Sequence, residues 1–272
     1  MNQSAIKPGQ PFDEARTREI IRDFKRDGFV LIPGVLDAEE VTALRETTDR
    51  YFADPAAIAG GYVQGNFILR HTNVLDSIFC DLLVKEPIIS LMEAIFGPGC
   101  EQCGMNVLRS DRTKAITVWH VDDDLFFPLP EDVPRHDPRI EMPILWLTVQ
   151  VALSDIDSPE NGPTQYVPGS HYSGRRPPKT ETPEFEGKGP VTILCKAGDI
   201  YLHNSQCWHR GTPNRSDRVR YLLQQQYGPR WAFPRYNAYI SYKMPEHLLE
   251  GASDRLLRVL GDLRFRPERR YQ

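Results

Sequence analysis

The sequence predicts an α+β fold with a mainly β core: helices come first, strands follow, and no strand–helix–strand alternation appears. Three observations carry that reading. Apolar residues recur at helical spacing up to about residue 96, and from about residue 104 the period changes to two. The 23 Pro and 19 Gly among 272 residues supply turns that a helical bundle would not need. Strands so punctuated suit an antiparallel sandwich or barrel.

Taken in order, Arg18 to Lys25 places Ile20, Ile21 and Phe24 at helical spacing, with Gly28 as a stop. Phe29-Val30-Leu31-Ile32 is a short apolar strand closed by Pro33-Gly34. Asp37-Ala38-Glu39-Glu40 reads as a capping box opening a helix with Val41 and Leu44 on one face. A third helix is expected from about Leu82 to Phe96, presenting Ile88, Met92, Ile95 and Phe96 and ending at Gly97-Pro98-Gly99. Ile144 to Leu153 then alternates clearly. Its odd positions are all large aliphatics that suit packing on a helix or second sheet, while the even positions, including Thr148 and Gln150, suit a cavity wall. Val191 to Cys195, Ile200 to His203 and Arg218 to Tyr227 are further strands. Phe127 to Pro143, with five prolines, and Arg175 to Pro190 read as long loops, and loops of that length are often functional.

Composition narrows the function classes. A net charge of −4 argues against nucleic acid as a partner. No run of about 18 apolar residues is present to span a membrane, and the segment MNQSAIKPGQPFDEARTREI lacks an apolar signal core, so a cytoplasmic protein is expected. Cys80, Cys100, Cys103, Cys195 and Cys207 are odd in number and scattered, unlike a disulfide framework. Cys100-Glu-Gln-Cys103 stands without the second pair a tetrahedral zinc site needs, so buried or incidental thiols are expected.

One cluster suggests metal chemistry. In a strand, residues i and i+2 point to one face, so His120 and Asp122 can reach the same ion. His209, after the strand at 200–203, is a second imidazole candidate. Two imidazoles and a carboxylate can cap one face of an octahedron and leave three positions open, as in non-haem Fe(II) oxygenases. Asp123 and Asp124 compete for the carboxylate role; Asp123 has the wrong parity, and Asp124 lies about 7 Å further along. The H-x-D pair alone is a weak signal, since such short motifs often occur without function.

The surrounding sequence strengthens it. Asp27-Gly28-Phe29-Val30, Glu160-Asn161-Gly162-Pro163-Thr164, Val167-Pro168-Gly169-Ser170-His171, Gly198-Asp199 and Trp208-His209-Arg210-Gly211-Thr212-Pro213-Asn214, followed by Arg218-Val219-Arg220-Tyr221, occur in order. This ensemble resembles the phytanoyl-CoA dioxygenase family of Fe(II)/2-oxoglutarate oxygenases over about residues 19 to 230.

The resemblance implies a double-stranded β-helix (jelly-roll, cupin-like) flanked by N-terminal helices. It implies one domain over 1–272, with a helical flank at about 12–100, a jelly-roll core at about 101–230 and a C-terminal extension at about 231–272. It places the metal triad on His120, Asp122 and His209, and the 2-oxoglutarate-anchoring arginine, eleven residues after the distal histidine, on Arg220. A guanidinium suits that task because it remains charged and matches a carboxylate in two-pronged geometry. Arg218 shares the strand parity, with a solvated edge charge as its expected role. His203 competes with His209, but position 214 is Asn rather than the arginine the family spacing requires.

Thr117, three residues before the first histidine, and Gly211, two after the distal one, match positions that contact cosubstrate in family members. Gly211 departs from the serine of several relatives, which leaves only a backbone contact. Asn106, Thr148 and Gln150 are further candidates for the cosubstrate pocket. The implied cofactors are Fe(II), 2-oxoglutarate and O₂, and the implied reaction hydroxylates an unactivated C–H bond with release of succinate and CO₂. Asp122 stands where related halogenases carry a small residue, so halogenation is disfavoured.

For the primary substrate, Phe126, Phe127 and Trp146 suit an apolar or polycyclic small molecule, while Glu131 and Asp132 suit a cationic one. The C-terminal arginines (Arg264, Arg266, Arg269, Arg270) could meet an anionic carrier, although a solvated tail is the commoner reading. Competing readings are desaturation, epimerisation or ring formation by the same chemistry, or a non-catalytic cupin-like module holding a ligand or another metal. The oligomeric state is not legible.

Overall fold

The computed structural model describes residues 9–112, 114–231 and 244–261. Helix α1 (Glu14–Asp27) opens where the Asp13 carboxylate accepts the Arg16 amide, and it stops at Gly28, whose φ of 83° favours glycine. It buries Ile20 and Phe24. After β1 (Phe29–Ile32), helix α2 (Ala38–Ala53) begins with the expected box: Asp37 caps the Glu40 amide and Glu40 caps the Asp37 amide. A short α3 (Pro55–Ala59) and the strand pair β2 (Val63–Gln64) and β3 (Ile68–Arg70) follow, none of them expected.

The expected third helix is two. α4 (Ser77–Leu83) and α5 (Ile88–Phe96) are separated around Pro87, which carries no amide proton and disfavours helix for the residue before it. Gly97 ends α5, as the spacing predicted.

The strands β4 (Cys100–Ser110), β5 (Leu147–Ala152), β6 (Thr164–Tyr166), β7 (Val191–Thr192), β8 (Ile200–Asn204), β9 (His209–Gly211) and β10 (Arg220–Pro229) complete two sheets. The larger has the order β1-β8-β5-β10-β4-β3-β2 and the smaller β7-β6-β9. Every pairing is antiparallel. The predicted strand at 191–195 is cut to β7, and Cys195 instead makes an isolated bridge to Ile156. Among the described residues, no helix or strand lies between β4 and β5 or within residues 173–190, where the two long loops were expected.

The period-two face of β5 behaves as its sequence predicts. Leu147, Val149, Val151 and Leu153 pack with Ile20, Phe24, Leu44 and Ile89 in the helix-side core. Each such fully buried side chain contributes about 1.5–3 kcal/mol. The opposite face carries Ala152, which joins Tyr166, Tyr201 and Leu222 in the second core, between the sheets. This is the facing-sheet architecture expected of a jelly-roll.

Near the end of the described chain, α6 (Asp254–Val259) is tied down by ion pairs of Arg255 and Arg258 with Glu93. Arg264, Arg266, Arg269 and Arg270 lie outside the described residues. All five cysteines are free and buried, and burial pushes the Cys100 thiol up to about 12. Among the described residues, no helix is long and apolar enough to cross a membrane.

Candidate metal centre

The segment 119–122 alternates in the way a strand does. Trp119 and Val121 are buried with Val167, Phe185 and Trp208, so His120 and Asp122 face the other way. Backbone pairing sets their depth: His120 and His209 exchange both N–H···O bonds, at 2.9 and 3.0 Å, and the Asp122 amide donates to Ser205 O at 2.9 Å.

His120, Asp122 and His209 each offer a ligand atom, and those atoms all lie within 4.8 Å of one another. His209 Nε2 lies 3.2 Å and His120 Nε2 3.9 Å from Asp122 Oδ1. Each histidine is paired through its other nitrogen with a backbone carbonyl two residues earlier: His120 Nδ1 with Val118 O at 2.8 Å, His209 Nδ1 with Cys207 O at 2.9 Å. A carbonyl accepts only from N–H, so both Nδ1 atoms carry a proton and Nε2 is the ring atom each histidine can offer to a metal. Two imidazoles and a carboxylate so arranged fit an open-sided divalent iron site.

The electrostatics agree. Burial alone would raise the Asp122 carboxyl, but His209 and His203 beside it hold it well below the usual carboxylate range. Burial pulls His209 down, yet Asp122 outweighs it and raises this imidazole above its ordinary value. Burial, followed by the charge of His209, lowers His120. Asp123 and Asp124 stand outside the cluster: Asp123 caps the Asp124 amide, and exposed Asp124 pairs with Arg176 at 3.1 Å.

His203 is the residue that sequence reasoning set aside. It is 1% exposed, with Nε2 2.8 Å from Asp122 Oδ2 and Nδ1 3.0 Å from the Tyr166 hydroxyl. The carboxylate can only accept, so Nε2 carries the proton and Nδ1 receives the tyrosine O–H. Its tautomer is the reverse of the other two imidazoles. Shared strand parity with Tyr201, which lines the same interior, was the available signal.

Arg220 is 4% exposed at the start of β10. Its guanidinium donates to Gly162 O and, at 3.0 Å, to Ser110 Oγ, while Nε has no partner among the described residues. Among the described residues no carboxylate pairs with it. Burial lowers its affinity for the proton, opposed by the Tyr201 oxygen, the Cys195 sulfur and the Tyr166 oxygen. Tyr166 stacks on His209, with centroids 5.6 Å apart. Arg218 points elsewhere, to Asp157 and Asn161 at 2.7 and 2.9 Å, as an edge charge would.

The other candidates divide. Thr148 and Gln150 are buried on the strand face shared with His203 and Tyr201, and Thr148 Oγ1 and Gln150 Oε1 lack partners among the described residues. Asn106 pairs in register with Gln224 and accepts the His71 amide at 3.4 Å. Thr117 is exposed and lines a surface cavity with Gln165 and Arg210. The Gly211 amide is already bonded to Ile116 O at 2.7 Å, and a Cβ here would meet that oxygen at 3.1 Å. Trp146 is buried with Leu145 and Cys103 against Phe126, whereas Phe127 is largely exposed.

Several motifs of the resemblance are scaffolding for this centre. Ser170 Oγ accepts the Trp208 amide at 2.8 Å, next to His209. Gly169 donates to Asp27 O at 2.8 Å, and Asn214 Nδ2 holds Ser110 O and Arg218 O at 3.0 and 2.7 Å.

Known proteins share this framework. The chain is 27% identical over 165 residues to the ectoine dioxygenase of Stutzerimonas stutzeri (strain A1501), covering 56% of this chain and 50% of that protein. It therefore spans about half the length of that curated relative. The epimerase SnoN in complex with Fe3+, alpha ketoglutarate and nogalamycin RO superposes with a TM-score of 0.60 at 23% identity, covering 80% of this chain and 85% of that one. HygX from Streptomyces hygroscopicus with nickel and 2-oxoglutarate bound gives 0.59 at 22%, covering 78% and 86%. At those identities the two structures establish the fold. The model of the phytanoyl-CoA dioxygenase family matches residues 24–221, most of the chain and the whole of the centre described above. This chain belongs to the phytanoyl-CoA dioxygenase family.

Proposed function

We propose that this protein is an Fe(II)- and 2-oxoglutarate-dependent dioxygenase that hydroxylates an unactivated C–H bond of a small molecule. The observation that carries the reading is Arg220: a buried guanidinium with no carboxylate partner among the described residues, in a fold that also brings together a two-histidine, one-carboxylate cluster. A buried charge is costly unless paired, and the distal carboxylate of 2-oxoglutarate supplies the missing anion. His120, Asp122 and His209 would hold the iron. When bound, it supplies O₂ activation coupled to decarboxylation of 2-oxoglutarate to succinate and CO₂.

The chain's own residues do the rest. The Nδ1 bonds of His120 and His209 to carbonyls leave both Nε2 atoms to be offered to one metal ion. Arg220 orients the cosubstrate, and Thr148 and Gln150 offer hydrogen-bonding atoms that lack partners among the described residues. Thr117 and Gly211 have weaker support, because one is exposed and the other's amide is occupied. Trp146, Leu145 and Phe126 form an apolar cluster beside β5 that suits exclusion of water. Small-molecule ligands named for SnoN and HygX structures, nogalamycin RO and hygromycin B, support that substrate class.

Oxygen consumption and succinate formation by the Fe(II)-loaded protein, with and without candidate metabolites, test the proposal. Gain of one oxygen atom in a product identifies hydroxylation; loss of two hydrogens or an unchanged mass identifies desaturation, ring formation or epimerisation. Metal retention without any succinate would instead mark a non-catalytic binding module.

A further inference from the structure

His203 and Tyr166 form a buried chain behind the candidate metal site that its three ligands leave unexplained. Asp122 presents two different oxygens. Oδ1 lies 3.2 and 3.9 Å from His209 Nε2 and His120 Nε2; Oδ2 receives His203 Nε2–H at 2.8 Å. His203 cannot readily turn over, because Nδ1 receives the Tyr166 hydroxyl at 3.0 Å. Tyr166 is itself fixed, fully buried on β6 and stacked on Phe29 with centroids 4.8 Å apart. The chain therefore joins the two sheets: β6 of the smaller holds β8 of the larger, and β8 holds the carboxylate.

We propose that His203, locked by Tyr166, is a positioning residue that reserves Asp122 Oδ2 and leaves Oδ1 alone for the metal. This inference rests on the metal reading above. A carboxylate free to rotate can offer both oxygens to one ion and occupy a position that an oxygenase needs for cosubstrate or O₂. Holding Oδ2 by a neutral N–H donor prevents that without adding a positive charge beside the site. A cationic holder such as arginine would withdraw charge from the ligand; an apolar residue would leave Oδ2 buried and unpaired. Imidazole with a fixed tautomer satisfies both requirements, and hydrogen-bonded partners of metal ligands typically change metal affinity about 10–100-fold when removed.

The test uses Co(II) as probe, with affinity from calorimetry and coordination from its visible absorption, on the full chain. Wild type and His209→Ala establish the triad reading: if both bind Co(II) alike, that reading and this inference fall together. His203→Leu is then expected to bind about 10–100-fold more weakly with an altered absorption spectrum, and His203→Gln, whose amide N–H can still reach Oδ2, to recover most of both. Tyr166→Phe should change the spectrum in the same direction by a smaller amount, and it decides the question if His203→Leu does not fold. A folded His203→Leu with wild-type affinity and spectrum overturns the inference while leaving the triad standing. So does a His203→Gln as impaired as His203→Leu, or a Tyr166→Phe indistinguishable from wild type.

Discussion

His120 and His209 form a mutually hydrogen-bonded backbone pair, each amide donating to the other's carbonyl at 2.9 and 3.0 Å, although 88 residues separate them in the chain. Directly opposed residues in such a pair project their side chains to the same face. That pairing, with the Asp122 amide held by Ser205 O, brings two donors from the irregular segment between β4 and β5 against the third on β9.

Arg220 should separate cosubstrate binding from metal binding. Replacing it with Gln removes the only buried cation proposed to meet the cosubstrate's distal carboxylate. Charged hydrogen bonds contribute about 1.5–3 kcal/mol, so KM for 2-oxoglutarate should rise roughly 10–100-fold while Co(II) affinity stays within about twofold. Steady-state kinetics and calorimetry on the same preparations check both halves. Equal losses in both would place Arg220 in the scaffold instead.

His171 should make stability fall in mild acid. It is half-buried and packs against Gly28, where a Cβ would come within 2.6 Å of Nδ1, and its Nε2 bonds to Lys25 O at 3.1 Å. Burial lowers it from 6.5 to about 4. Because the folded value is the lower one, the unfolded chain binds the proton first. Stability is therefore complete above about pH 6.5 and is lost as pH falls toward about 4. The loss is about 3 kcal/mol across that window. Urea unfolding of wild type and His171→Gln between pH 7 and 4.5 should show a shallower pH slope in the variant.

Much of this fold was legible because period and punctuation are local. Asp37 and Glu40 announced α2, Gly28 announced the end of α1, and Leu147, Val149, Val151 and Leu153 announced the buried face of β5. The helix expected from Leu82 failed at one residue, Pro87, whose effect outweighed an apolar pattern that looked continuous. In the site, parity selected Asp122 over Asp123, and family spacing led to Arg220. The role of His203 was not legible, since it depends on partners 81 residues earlier and 37 residues earlier. Thr117 shows the converse: a fixed sequence offset located it, but its exposure depends on how the segment before His120 leaves the barrel.

Arg175 should control the loop that follows Asp122. Its guanidinium donates to Pro130 O and Val133 O at 2.5 Å and to Pro134 O at 3.2 Å, while its own carbonyl accepts Trp208 Nε1–H at 2.7 Å. Arg175→Ala should cost about 2 kcal/mol locally, roughly a 30-fold rise in loop opening. Hydrogen exchange and limited proteolysis across residues 127–143 would show it. Lys should rescue only partly, because it cannot serve several carbonyls from one planar group.

Gln225 should be a stabilising site for substitution. It is 0% exposed on the helix-side face of β10, opposite Met105 and Val149, and both amide atoms lack partners among the described residues. Gln225→Met keeps the approximate shape and removes the unpaired groups, so urea unfolding should show a gain of about 1–2 kcal/mol. A loss would mean that the amide has a partner.

The central claim is that His120, Asp122 and His209 hold one iron that turns over 2-oxoglutarate. Its most direct test is O₂-dependent succinate formation by Fe(II)-loaded wild type and by Asp122→Ala, each shown to be folded by its thermal transition. The account predicts succinate from wild type that requires both Fe(II) and O₂, and none above background from Asp122→Ala. Equal succinate from the two proteins would contradict it.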